Sequence, residues 1–216
     1  MHSSTVRVWD LPLRLFHWSL ALLTVAAFLT SRGDDWSRWH NRIGLAIAVL
    51  LVFRLLWGIV GSVTARFASF VRAPRDVLAY LWRTPTQMPA VPGHNPAGGW
   101  MVLLLLLVYL AQCLSGLYAD DDINWHGPLA TRAAADWIRA MVRLHEWNFR
   151  LILALLALHL GAIGFYQLVK KINLIGPMLH GMQRRAVAPH PPATPGELVR
   201  AGVCVALACL LVWLIC

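Results

Sequence analysis

Five long apolar runs, separated by shorter polar stretches, dominate the pattern of this chain. A helix rises about 1.5 Å per residue, so about 20 apolar residues cross the roughly 30 Å of hydrocarbon in a bilayer. The runs that reach or approach this length lie at about 12–31, 39–63, 98–119, 145–169 and 198–216. They predict an all-α membrane protein, in which an up-and-down bundle of four transmembrane helices is followed by a fifth, C-terminal transmembrane helix.

The stretch before the last run has a different composition. Residues 186–197 hold four prolines, a content typical of a semi-rigid linker. We therefore divide the chain into a transmembrane domain at 1–171, a proline-rich linker at 172–197 and a C-terminal transmembrane helix at 198–216.

Two loops mix apolar residues with arginines. They lie at 67–82 and 130–144, and in the second the apolar residues recur near helical spacing. Both segments are typical of amphipathic helices lying on a membrane surface. Solvated loops with incidental apolar residues are the alternative.

The charged loops predict the orientation of the bundle. Basic residues in loops gather on the cytoplasmic side of a membrane protein. The N-terminal arm, the loop after the second run and the segment after the fourth carry most of them: Arg7, Arg14, Arg66, Arg72, Arg75, Arg83, Lys170, Lys171, Arg184, Arg185 and Arg200. The opposite loops are richer in acid: Asp34, Asp35, Asp120, Asp121, Asp122 and Asp136. We therefore expect a cytoplasmic N-terminus and, with five spans, a C-terminus on the outside.

Composition agrees with a membrane location and excludes a nucleic-acid-binding protein. The chain is 58% hydrophobic and only 13% charged, whereas a soluble domain carries about 25% charged residues. The net charge of +9 includes only two lysines and is spread over several loops rather than gathered into one patch.

Four histidines lie in or at the ends of predicted spans: His17, His40, His145 and His159. Ionisable residues in a span are costly and therefore functional candidates. The fourteen residues from His145 to His159 advance a helix by about 21 Å and nearly four turns, so both rings share one face at opposite depths. With helices alternating in direction, His40 meets His145 and His17 meets His159. Two such pairs supply the axial ligands of two six-coordinate b-type haems.

Other roles remain open for these histidines. Any one of them could be an interhelical hydrogen-bonding group, and His40 and His145 could lie at the membrane interface. Among the other histidines, three are expected to be solvated: His2, His180 and His190. Two loop histidines, His94 and His126, could contact a quinone or a partner protein.

Arg54 is the second unusual residue within a span. It follows His40 by fourteen residues and therefore lies near the cytoplasmic end of the second helix. A guanidinium at this depth could pair with a haem propionate. The alternative is that its long side chain reaches the lipid headgroups. The same two readings apply to Arg42 and Arg150, while Gln112 is expected to form an interhelical hydrogen bond.

From about Val6 to Lys171 the chain resembles the bacterial family that includes cytochrome b561 and the cytochrome b subunits of nickel–iron hydrogenases. The motifs that carry this resemblance are VWDLPLRLFHW around His17, RWHNRIG around His40, FRLLWGIVG from Phe53, GHNPAGGW from Gly93, GPLA after His126 and LHEWNFRLILALLALHL around His145 and His159. The run at 198–216 lies outside it.

The resemblance implies a four-helix core, two b haems, the same four ligands and electron transfer linked to quinone in the bacterial inner membrane. We expect electrons to pass between the quinone pool and a periplasmic partner, such as a cytochrome c or a hydrogenase-type subunit. Two alternatives stay open: a stand-alone quinone oxidoreductase acting on a small redox substrate, and a membrane anchor without redox function. Homo-oligomerisation is compatible with all three.

Overall fold

The computed structural model describes residues 4–32, 36–82, 93–120, 126–185 and 195–216. Five of the helices in these ranges are long and apolar enough to cross a membrane. In chain order the elements are β1 (Ser4–Arg7), α1 (Leu11–Thr30), α2 (Ser37–Val60), α3 (Phe67–Phe70), α4 (Pro74–Leu81), α5 (Pro96–Leu117), α6 (Ala135–Leu168), α7 (Ile175–His180), β2 (Met182–Arg185) and α8 (Pro195–Ile215). This architecture confirms the predicted all-α membrane protein with a fifth apolar helix at its C-terminal end.

Side-chain caps and prolines start two of the long helices. The carboxylate of Asp10 accepts a hydrogen bond from the backbone N–H of Leu13 at 2.6 Å, at the start of α1. The amide oxygen of Asn95 accepts one from the N–H of Gly98 at 2.7 Å, at the start of α5. Each helix also has a proline in its first turn, where no partner for a backbone N–H is needed.

The four long helices of the core pack in sequence. α1 packs on α2, α2 on α5 and α5 on α6, while α8 packs on α2. The centre of the bundle holds apolar residues that are almost fully buried, such as Leu51, Trp57 and Ile152. Many other leucines and valines on these helices are exposed, as expected for a surface that faces lipid.

Two short strands close one end of the bundle. β1, before α1, pairs antiparallel with β2, after α6, with Thr5 opposite Arg184. The pairing continues into backbone hydrogen bonds from the N–H groups of Val8 and Trp9 to the carbonyl of Gly181. The N-terminal arm and the segment after α6 therefore lie at the same end of the bundle, which an even number of spans between them requires.

The prediction of a separate surface helix at 130–144 is wrong. Ala130–Arg132 form a single 3-10 turn, and α6 then runs without interruption from Ala135 to Leu168. Its 34 residues extend about 51 Å, well beyond the hydrocarbon thickness. The helix therefore begins ten residues before His145, which lies in its third turn rather than at its start.

The other loop with amphipathic character, 67–82, contains two short helices. α4 buries Tyr80 and leaves Leu78 and Leu81 exposed, so it has one apolar side without a partner among the described residues. Its location on the membrane surface stays a prediction.

The domain division also stays a prediction. Within 172–197 the structure contains α7 and β2, and the last helix begins at Pro195. The rest of the proline-rich stretch, 186–194, lies outside the described residues. Several of the charged residues and histidines named above also lie outside them: His2, Asp34, Asp35, Arg83, Asp121, Asp122 and His190.

Candidate functional site

His40 and His145 face each other across the bundle, as the depth argument predicts. Their ring centroids are 6.2 Å apart and their planes lie at 79°. Two imidazole nitrogens bound to one iron, each at about 2 Å, lie about 4 Å apart, and their ring centres lie about 6 Å apart. The spacing of these two rings therefore fits one metal ion between them.

Hydrogen bonds orient both of these rings. The Nδ1 atom of His40 lies 2.9 Å from the carbonyl oxygen of Ala27, and that of His145 lies 3.0 Å from the carbonyl oxygen of Gln112. A carbonyl can only accept, so each Nδ1 carries the proton and donates it. The Nε2 atom of each ring then has a free lone pair, which is the form that binds a metal.

The surroundings of His145 are closely fitted to its ring. A Cβ atom on Gly116 would lie 3.0 Å from the Cε1 atom of His145, so a side chain there would press on the imidazole. The hydroxyl of Ser115 lies 3.2 Å from Nδ1. Gln112 forms the predicted interhelical hydrogen bond, because its side-chain oxygen accepts from Asn148 Nδ2 at 2.7 Å.

His17 and His159 lie at the other depth of the bundle, near the end that holds β1. His17 lies in the second turn of α1, which follows β1, and His159 lies in the last third of α6, which runs toward β2. The Nδ1 atom of His17 is buried and has no hydrogen-bond partner among the described residues. The two histidines therefore lie toward the same end of the bundle, and among the described residues His17 has no hydrogen bond like those that orient His40 and His145.

Arg54 lies inside the bundle rather than at the lipid-facing surface. Its side chain is 1% exposed, and its guanidinium carbon lies 4.7 Å from the centre of the Phe67 ring. Both terminal nitrogens are buried without a hydrogen-bond partner in the described part of the chain. Such a group can bind an anion through two parallel N–H donors.

His94, the loop histidine that was a candidate contact for a quinone or a partner protein, lies at this end of the bundle. Its ring packs between those of Trp9 and Phe70, at centroid distances of 4.7 and 4.6 Å. Burial lowers the pKa of His94 to about 3, and the charge of Arg54 contributes in the same direction. His94 is therefore neutral at pH 7, and its buried Nδ1 atom has no described hydrogen-bond partner.

Comparison with known proteins supplies the observation that decides the family. The family model described as prokaryotic cytochrome b561 matches residues 8–181, which is most of the chain. The chain belongs to the prokaryotic cytochrome b561 family. No curated protein and no solved structure among those compared matches it. The protein is thus a multi-pass membrane b-type cytochrome involved in electron transfer, and it binds b-type haem.

The ligand set of this cytochrome suits haem better than a bare metal ion. Among the described residues, no group of three or more His, Cys, Asp or Glu side chains could hold a metal. A structural zinc ion takes four protein ligands, whereas haem iron already has four porphyrin nitrogens and needs only axial ones. A pair of facing imidazoles is therefore sufficient.

A glycine lets a flat macrocycle approach a helix closely, and several glycines lie on the helices that carry His40, His145 and His159. A Cβ atom added to Gly44, Gly161 or Gly164 would meet no atom within 4 Å, so the space beside each is open. By contrast, nothing in the sequence distinguished Ser115 or the carbonyls of Ala27 and Gln112, because every residue carries a carbonyl and serine is common in helices.

Proposed function

We propose that this cytochrome carries electrons across the bacterial inner membrane between a periplasmic redox partner and the quinone pool. His40 and His145 ligate one b-type haem, and His17 and His159 ligate a second. Each haem, when bound, supplies one-electron redox chemistry at its iron. The chain supplies the ligands, the burial and the fixed spacing between the two sites.

The geometry of His40 and His145 carries this proposal. Their ring centres are 6.2 Å apart, which is the spacing of two axial imidazoles, and the hydrogen bonds at Nδ1 leave the Nε2 lone pair of each ring free to bind iron. If His40 and His145 only formed a hydrogen bond to each other, it would be enough for a backbone carbonyl to orient one of the two rings. Orientation of both by backbone carbonyls favours joint coordination.

The guanidinium nitrogens of Arg54, which have no hydrogen-bond partner among the described residues, support a second haem at His17 and His159. Arg54 would hold a propionate of the haem bound by His17 and His159, because a buried guanidinium needs an anionic partner. The fourteen residues between His145 and His159 place the two sites about 20 Å apart along α6. Two sites at these depths divide one transfer across the membrane into shorter steps.

The orientation of the bundle in the membrane determines which of the two haem sites faces the cytoplasm and which faces the periplasm. The basic loops favour a cytoplasmic location for the N-terminus and the His17/His159 site, where we propose that quinone exchanges electrons. The His40/His145 site then faces the periplasm, where a cytochrome c or a hydrogenase-type subunit would dock.

Ligand replacements test the pairing and the function together. The purified wild-type cytochrome is expected to hold two haems per chain, with two components in its reduced-minus-oxidised spectrum. Replacing His17 or His159 by Ala should remove one component, and replacing His40 or His145 should remove the other, because each pair shares one depth. Loss of the same component from His17→Ala and His40→Ala would refute the pairing. Unchanged haem content in all four variants would refute the function.

A further inference from the structure

Ser115 lies next to a histidine of the proposed site and is fully buried in the last turn of α5. Its Oγ atom is 3.2 Å from the Nδ1 atom of His145 and 2.7 Å from the carbonyl oxygen of Ala111. A hydroxyl buried in a helix can satisfy itself with a backbone carbonyl alone. Because His145 Nδ1 also lies within hydrogen-bond distance, the role of Ser115 depends on where the hydroxyl proton and the Nδ1 proton lie.

One arrangement of the two protons satisfies all of these contacts. The Ser115 hydroxyl has one hydrogen, which it donates to the closer of two carbonyls, that of Ala111 at 2.7 Å. His145 Nδ1 carries a proton, because it lies 3.0 Å from the carbonyl of Gln112. The Ser115 oxygen is then an acceptor for that same proton. His145 Nδ1–H is thus shared between two acceptors, one of them a side chain.

We propose that Ser115 is a positioning residue that lowers the reduction potential of the haem bound by His40 and His145; this inference rests on the proposed function. An imidazole whose Nδ1–H is drawn toward acceptors becomes a more basic ligand through Nε2. A more electron-rich ligand favours the ferric over the ferrous iron, so hydrogen bonds beyond the ligands adjust the potential.

The effect is confined to one of the two sites. His17 has a buried Nδ1 with no hydrogen-bond partner among the described residues, so none of these residues supplies its ring with a comparable acceptor. The partner of His145 in the same site, His40, donates to a carbonyl alone within the described structure. Ser115 is the one hydroxyl that touches a proposed ligand nitrogen in the described hydrogen bonds, which makes its removal a selective change.

Ser115→Ala removes the hydroxyl acceptor and should raise the midpoint potential of the His40/His145 haem alone. We expect a change on the order of threefold in its ratio of reduced to oxidised haem at a fixed potential, since only part of one hydrogen bond depends on the iron state. Ser115→Cys leaves no cavity but replaces the oxygen with a larger sulfur that is a weak acceptor, and it should shift the potential in the same direction. Both measurements use redox titration of the purified holoprotein.

Ser31→Ala is the matched control, because its exposed hydroxyl donates to the carbonyl of Phe28 at 2.8 Å and is not in contact with a proposed ligand. Its two midpoint potentials should equal those of the wild type. The proposal is overturned if Ser115→Cys keeps the wild-type potential, whether Ser115→Ala shifts it through packing or loses the haem. Absence of haem from the wild-type protein would instead refute the proposed function, so the two failures are distinguishable.

Discussion

Arg54 carries a charge in the interior of the bundle at a place where the described structure offers it no hydrogen bond. Removing a charged group from water costs several kcal/mol unless it is paired. The aromatic face of Phe67 offsets a part of this cost, on the order of 1–2 kcal/mol. The two unused nitrogens are the reason to expect an anionic group of the cofactor beside them.

Replacing Arg54 tests this expectation. Arg54→Leu should lower the midpoint potential or the occupancy of the His17/His159 haem and spare the other, because a nearby cation favours the reduced form. Arg54→Lys should retain part of the effect, since it keeps the charge but not the two-pronged geometry. Redox titration measures both.

Arg66→Leu provides a control at the same end of the bundle, because Arg66 is exposed just before α3. It should leave both potentials unchanged. Equal potentials for the wild type and Arg54→Leu would show that this cation does not act on either haem.

For individual residues, helical periodicity allowed the four candidate haem ligands and Arg54 to be predicted from the sequence. Spacing along a helix sets depth and face, so the meeting of His40 with His145 followed from residue numbers alone. His94 could not be placed in this way, because residues 93–95 form a non-helical connection whose direction has no period. The same holds for the backbone acceptors of the histidines, since their identity depends on the rotation of neighbouring helices.

Among the elements, α8 shows what an apolar run in the sequence does not predict, namely the position of the helix in the bundle. Its composition indicates a transmembrane helix but not which neighbour it contacts, since the residues are apolar on every side. The structure packs it on α2 through a face of small residues that includes Ala201, Cys204 and Ala208. At its start, a partly buried ion pair joins Glu197 to Arg7 in β1. Small residues allow the close helix approach that replaces the hydrophobic effect within lipid.

A large side chain on this face should separate α8 from α2. Ala208 is fully buried, so Ala208→Leu overfills the contact and should cost about 1–3 kcal/mol of stability. The matched substitution Ala206→Leu, on an exposed position of the same helix, should cost much less. Thermal loss of the haem absorbance in detergent measures both. Equal midpoints for the two variants would mean that this face does not stabilise the protein.

The beginning of α6 was misplaced for a physical reason. Charged residues such as Asp136, Arg139 and Arg143 mark the end of the hydrocarbon, but they do not end a helix. The backbone of a helix satisfies its own hydrogen bonds and can continue into water, where the ion pair of Asp136 with Arg139 bridges one turn. The hydropathy of the sequence predicted where the hydrocarbon ends, near His145, and α6 extends beyond that point to Ala135.

For the whole molecule, the pairing of β1 with β2 constrains the topology. Both strands lie at one end, and α1, α2, α5 and α6 run between them. Four spans satisfy this constraint, and a fifth helix carries the C-terminus away from that end. The sequence predicted this count from apolar length, but it gave no sign of the strands, which are four residues each and fall outside the apolar runs.

Reporter fusions test the orientation of the whole bundle. A reporter fused after Lys171 should be active in the cytoplasm, and reporters fused after Asp122 or at the C-terminus should be active in the periplasm. The asymmetry of basic residues is the cause. The reverse pattern for the Lys171 and Asp122 fusions would exchange the sides of the two haem sites, whereas disagreement at the C-terminus alone would mean that α8 does not span.

The nearly perpendicular rings of His40 and His145, at 79°, have a magnetic consequence. Each imidazole plane interacts preferentially with one of two iron d orbitals, and two planes at right angles treat those orbitals almost equally. A ferric ion between these rings therefore retains two near-degenerate orbitals and much of its orbital angular momentum. With His40 and His145 as the proposed ligands, the electron paramagnetic resonance of the ferric haem is expected to be strongly anisotropic, with one large g value and weak, broad remaining features. This spectrum would report the ring orientation that the carbonyls of Ala27 and Gln112 impose.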